Sequence, residues 1–125
     1  MNQDDFQQWL NSYGHAWQKG DPDAILELFT ENALYQEGPF ETCMMGKHAI
    51  HQYWTEGAEK SQADIKFLAQ PLAVDGNRGI AHWHSTFKRI PSNQRVELDG
   101  ILVIEFAEDG RCKDLREWWH KRQRK

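Results

Sequence analysis

The chain has 125 residues, which fits one domain spanning 1–125 that buries roughly two thirds of its unfolded surface. It carries 15 basic against 19 acidic residues, so its charge gives no support to nucleic-acid binding, and the basic run at 121–125 is expected to be a solvated end. The polar N-terminus is unlike a secretory signal and no apolar run has membrane-spanning length. We therefore expect a cytoplasmic protein that does not bind membranes.

Two helices are predicted at the start of the chain. Asp4 or Asp5 can cap the first helix, and Gly20 can end it. Its apolar residues share one face, and they are Phe6, Trp9, Leu10, Tyr13 and Trp17. The segment 21–23, Asp-Pro-Asp, is typical of a second helix start, with a capping acid and a proline in the first turn.

The rest of the chain predicts an α+β domain. Alternation over 33–37 indicates a short strand, and Gly46 opens a third helix. Four long strands then follow, over 64–74, 78–90, 94–106 and 111–120. Because their connections are short, we expect an antiparallel meander, strongly curved, with the N-terminal helices packed in its concave face as a cone-shaped α+β barrel.

Residue parity separates the two faces of this sheet. The inner face is predicted to carry aromatic and aliphatic side chains, together with Ser85 and Glu117. The outer face mixes His82 and His84 with apolar residues such as Trp118, which is typical of a partly polar interface. We predict a homodimer through that face. The two histidines lack a third ligand on their side, so no metal site is predicted.

At this point the chain resembles the nuclear transport factor two-like superfamily, which includes ketosteroid isomerases, SnoaL-like cyclases, scytalone dehydratase and limonene epoxide hydrolase. The resemblance rests on the order and spacing of motifs in 13–54 and 102–119, including Gly-Asp-Pro-Asp, Leu-Phe and the Asp-Gly hairpin. It implies a small hydrophobic ligand in a pocket and no cofactor.

The resemblance also implies roles for individual residues. Tyr13 matches the isomerase tyrosine that polarises the substrate oxygen, and Glu37 matches the carboxylate that moves the proton. Leu102 matches the position of the second residue that donates a hydrogen bond to the substrate oxygen in the isomerases. Leucine cannot donate a hydrogen bond, so only two of the three isomerase roles are filled. Glu117 matches the acidic residue that SnoaL-like cyclases carry on the last strand.

The predicted function is acid–base chemistry by Glu37, Tyr13 and Glu117, of an isomerase, cyclase, dehydratase or hydrolase type. The predicted substrate-binding residues are Tyr35, Trp83, Ser85, Phe87, Leu102, Leu115 and Trp119. Two alternatives stay open. Glu37 can instead bind backbone amides of the 38–40 loop, and the domain can be a ligand-binding or dimerisation module without chemistry.

Overall fold

A computed structural model describes residues 1–124 of the chain, which fold as an α+β domain. The helices are α1 (Gln3–Lys19), α2 (Pro22–Leu26) and α3 (Gly46–Trp54), and α3 continues into a π-helical turn (Thr55–Glu59). The strands are β1 (Phe29–Glu37), β2 (Met44–Met45), β3 (Gln62–Asp75), β4 (Arg78–Arg89), β5 (Arg95–Phe106) and β6 (Cys112–Arg124). No helix within this described part is long and apolar enough to cross a membrane.

The six strands form one sheet in the order β2-β1-β6-β5-β4-β3. Strands β3 to β6 are the predicted antiparallel meander, and β1 pairs with β6 in parallel. Within residues 1–124, β2 and β3 are the two edges and do not pair with each other, so the predicted cone is open and not a closed barrel. The basic end belongs to β6 up to residue 124, and Lys125 lies outside the described residues.

The first helix begins with a different cap from the predicted one. Asn2, not Asp4 or Asp5, accepts a hydrogen bond from the Asp5 backbone N–H at 2.8 Å. Asp5 accepts the return bond from the Asn2 backbone N–H at 3.1 Å, which completes a capping box. Gly20 ends the helix as predicted, at a φ of 61° that disfavours residues with a Cβ.

The core fills the inner face of the sheet, against α1 and α3. Burial confirms the predicted parity, because Trp83, Leu102 and Leu115 are buried whereas Trp118 is 43% exposed. Two glutamines of α1 also bind the backbone of the edge strand β3: Gln18 accepts from the Phe67 N–H, and Gln7 donates to the Ala69 carbonyl. These bonds attach α1 to β3, and the Tyr13 and Trp17 side chains of α1 line the inner cavity.

Candidate functional site

A cavity of about 730 Å³ lies between the helices and the inner face of β4, β5 and β6. Eight aromatic side chains line it, and they are Tyr13, Trp17, Tyr35, Tyr53, Trp54, Trp83, Phe87 and Trp119. The volume is within the range of small-molecule sites, which combine apolar walls with a few polar groups.

Two carboxyl groups and three phenol hydroxyls form one polar cluster in this cavity. The hydroxyl of Tyr13 lies 2.8 Å from that of Tyr35, and the Tyr35 hydroxyl donates to Glu117 Oε1 at 3.2 Å. The Tyr53 hydroxyl donates to Glu37 Oε2. The cluster, defined by these five residues, is the candidate site.

The fold brings these five side chains together from four elements. Glu37 ends β1 and lies directly opposite Glu117 of β6 in the parallel register. Tyr35 lies two residues before Glu37, so both side chains point to the same side of β1. Tyr13 comes from the buried face of α1, and Tyr53 comes from the last turn of α3.

Burial raises the pKa values of both carboxyl groups. The pKa of Glu117 lies well above its ordinary value, first because the side chain is buried and then because Glu37 carries like charge. Burial also raises the pKa of Glu37, although hydrogen bonds from Tyr53 and Glu117 oppose that shift. Such a pair ionises stepwise, with the larger upward shift in pKa at the more deeply buried Glu117.

The donors and acceptors of the cluster are arranged so that Glu37 is the last acceptor. Because Tyr35 gives its one proton to Glu117, Tyr13 must be the donor to Tyr35. Glu117 in turn supplies the proton that it shares with Glu37, and Tyr53 donates from the other side. Glu37 is therefore the terminal acceptor and Glu117 the protonated acid. Burial raises the pKa values of the three tyrosines, which stay protonated donors.

Seven of the residues predicted from sequence line the cavity, and they are Tyr13, Tyr35, Glu37, Trp83, Phe87, Glu117 and Trp119. The other three lie in the packed interior instead. The Ser85 hydroxyl donates to the Lys66 backbone carbonyl at 2.9 Å, which joins β4 to β3. Leu102 and Leu115 are about 1% and 0% exposed, because packing surrounds them on all sides.

Tyr53 is the member of the cluster that the sequence prediction missed. It shares a helix face with Ile50 and Trp54, and that spacing is more often a sign of core packing. The sequence did contain one indication of its role, which is a tyrosine on the helix that follows the strand of Glu37. The indole N–H groups of Trp54 and Trp83 are buried and have no acceptor among the described residues, although both side chains line the cavity.

The two histidines of β4 lie on the outer face, away from this cluster. His82 pairs with Asp99 at 2.9 Å, and His84 pairs with Glu97 at 2.7 Å. The pKa of Glu97 falls to about 2, mainly through its hydrogen bond with His84. Within residues 1–124 we find no group of three or more histidine, cysteine or acidic side chains placed to bind a metal ion.

Two solved structures resemble the chain closely in fold. SalBIII, described as an epoxide hydrolase/cyclase-like enzyme with a role in pyran ring formation in polyether salinomycin, is 23% identical with a TM-score of 0.79, over 90% of this chain and 88% of its own. A Bacillus subtilis protein described as a "putative isomerase" is 23% identical with a TM-score of 0.79, over 96% of this chain and 90% of its own. At these identities the likeness shows the fold alone.

No curated protein matches the chain. A family model described as a SnoaL-like domain does match it, over residues 9–115. That range includes four of the five residues of the cluster, and it ends two residues before the fifth, Glu117. Since the match covers most of the chain, the protein belongs to the SnoaL-like domain family.

Proposed function

We propose that the protein is an enzyme that acts without a cofactor on a compact, hydrophobic small molecule by general acid–base catalysis. The observation that carries this proposal is the Glu37 and Glu117 pair, which lies side by side in an aromatic cavity. Removing two carboxyl groups from water costs free energy, and two apolar side chains at these positions would be buried without that cost. Perturbed carboxyl groups in a cleft are a common feature of catalytic sites.

The two carboxyl groups suit opposite roles. Glu37, as the terminal acceptor, takes a proton from a carbon, a hydroxyl group or a water molecule. Glu117, held protonated by burial, donates a proton to the developing oxygen anion or to the leaving oxygen. Tyr13 acts through Tyr35, which orients the Glu117 carboxyl group. One proton leaves the substrate and one enters it, so the pair keeps its single proton. The proton left on Glu37 then passes to Glu117 through the hydrogen bond between them, which restores the starting state after isomerisation or dehydration.

The fold neighbours support the same reaction types. Their descriptions name an epoxide hydrolase/cyclase-like enzyme and a "putative isomerase", and general acid–base groups can catalyse reactions of these types by moving protons at carbon or oxygen. We extend these types to this chain as isomerase, cyclase, dehydratase or hydrolase chemistry.

The proposal is tested with panels of hydrophobic ketones, β-hydroxy ketones and epoxides in deuterated water. NMR follows deuterium uptake at carbon, loss of water and ring opening. We expect Glu37→Gln to lower the rate at which the protein converts an active compound by about a hundredfold to ten-thousandfold. This is the usual contribution of a catalytic proton-transfer group. Glu108→Gln changes an exposed turn carboxylate and is the matched control. A Glu37→Gln protein with unchanged turnover would refute the role of Glu37.

A ligand-binding module without chemistry is the second candidate. One observation favours it, because every polar group of the cluster already has a partner inside the cluster. Hydrogen bonds of this kind can serve only to specify the packing of a core. The same panel separates the two candidates, since a module would bind compounds, as seen by tryptophan fluorescence, and convert none of them.

We further propose that the outer face of β4, β5 and β6 forms a homodimer. Exposed Trp118 and half-buried Ile101 lie there beside the His82–Asp99 pair and border a groove of about 440 Å³. Sedimentation velocity of Trp118→Glu should then show monomers, whereas Met45→Glu, at an exposed residue of β2, should stay dimeric. Dissociation that does not change between about pH 5 and 8 would exclude a role for the histidines in this interface.

A further inference from the structure

Two cationic side chains lie in the same cavity as the carboxyl pair. Arg89 is the last residue of β4, and its guanidinium group lies over the Phe87 ring, 5.6 Å from the ring centroid. Lys121 follows Glu117 by four residues on β6, so the two side chains point to the same side of the strand. Lys121 is exposed and Arg89 is half-buried, which places both at the rim of the cavity.

Neither Arg89 nor Lys121 forms an ion pair with a described residue. Glu56 also lines the rim, but its carboxylate pairs with Lys60 at 3.8 Å. The rim therefore carries excess positive charge, whereas Glu117 is buried with the tyrosines and half-buried Glu37 lies opposite it.

Apolar surface separates the two charged regions. Glu117 and Lys121 are about 13 Å apart along the strand, given four residues at roughly 3.3 Å each. Trp119 lies between them on β6, half-buried Leu98 of β5 lies opposite Lys121, and the buried Phe87 ring of β4 lies at the rim under Arg89. A ligand that contacts both regions must have an extended apolar body with a polar group at each end.

We propose that the substrate is an amphipathic carboxylic acid whose carboxylate binds Arg89 and Lys121 at the rim. Its apolar chain lies along Phe87 and Trp119, and its oxygen-bearing reactive end reaches the carboxyl cluster. The planar guanidinium group matches a carboxylate in charge and geometry, and its stacking on Phe87 holds it in place. At the rim the carboxylate keeps part of its hydration, so binding does not require full desolvation. This inference rests on the proposed function in taking the cavity as the substrate site, and it replaces the compact hydrophobic substrate proposed there with an extended one that carries a carboxylate.

The test compares three probes with the same chain at pH 8: decanoate, methyl decanoate and decanol. Binding is measured by tryptophan fluorescence, because several of the six tryptophans line the cavity. We expect decanoate to bind about tenfold more tightly than either neutral probe, a ratio equivalent to about 1.4 kcal/mol. This advantage should shrink as salt is added, because both cations are partly exposed. Acetate, which has the charge without the chain, should not bind measurably.

Paired variants decide whether the two cations cause the preference. Arg89→Gln with Lys121→Gln should abolish the advantage of decanoate and leave decanol binding unchanged. Lys88→Gln with Lys113→Gln removes two charges from the same two strands outside the cavity, and it should retain the advantage. The inference is overturned if decanoate binds no better than decanol, if no probe binds, or if the Arg89 and Lys121 variant keeps the preference.

These outcomes are separate from those of the catalytic proposal. Binding is measured without turnover, so preferential decanoate binding can be observed even if Glu37→Gln has no effect on any reaction. Conversely, a rate loss in Glu37→Gln combined with equal binding of the three probes would uphold the acid–base role and refute the carboxylate site.

Discussion

Replacing Glu117 by glutamine should change how the stability of the protein depends on pH. Glutamine keeps the size of the side chain, its carbonyl can accept from Tyr35, and its amide N–H can donate to Glu37 as the acid does now. The variant should therefore fold with the same packing. It differs in one property, because glutamine binds no proton.

The sign of the effect follows from the raised pKa of Glu117. Burial and the nearby Glu37 raise that pKa in the folded state, so the folded protein holds a proton that the unfolded chain releases above about pH 4.3. The contribution of this proton to the free energy of unfolding is fully present below that pH and is lost as the pH rises through the folded pKa of Glu117. At pH values where the folded protein binds one proton more than the unfolded chain, the free energy of unfolding falls by about 1.4 kcal/mol per pH unit.

Urea unfolding followed by tryptophan fluorescence between pH 5 and 8 measures this slope. We expect the Glu117→Gln slope to be shallower than that of the wild type by up to about 1.4 kcal/mol per pH unit, so the variant gains relative stability toward pH 8. The control Glu108→Gln, at an exposed residue, should follow the wild type. Equal slopes for Glu117→Gln and wild type would show that Glu117 is ionised in the folded protein, and the assignment of Glu117 as the acid would be wrong.

Three further changes test the cluster and its support. Tyr53→Phe removes a hydrogen bond that lowers the pKa of Glu37, so an NMR titration of the Glu37 carboxyl should move to higher pH; an unmoved titration would contradict the contact. Tyr35→Phe leaves the buried Tyr13 hydroxyl without its acceptor and should cost about 1–3 kcal/mol in urea unfolding. In Gly100→Ala the new Cβ would lie 2.0 Å from a β6 backbone oxygen, so we expect a loss of about 1–3 kcal/mol, and unchanged stability would refute that close approach.

Local patterns were sufficient for the three helices, the four long strands and the faces of the last three of these strands. Alternation along β4 assigned Trp83 and Phe87 to the inner face, because side chains in a strand point alternately to its two sides. The same pattern cannot separate a packed wall from a cavity wall. Ser85 and Leu102 share the inner face but lie in the solid interior, since the position of the cavity depends on which helix side chains fill the space above each residue.

The sequence by itself determined the main helices and the long strands, the buried face of the last three long strands and the presence of Tyr13, Glu37 and Glu117 on inward positions. Only the tertiary structure decided how these groups meet. The parallel pairing of β1 with β6 joins residues 80 positions apart, and its register places Glu37 opposite Glu117. No local period specifies a register across such a distance, because it depends on how the whole sheet packs against the helices. The same packing brings Tyr53 to Glu37 and leaves Arg89 at the rim.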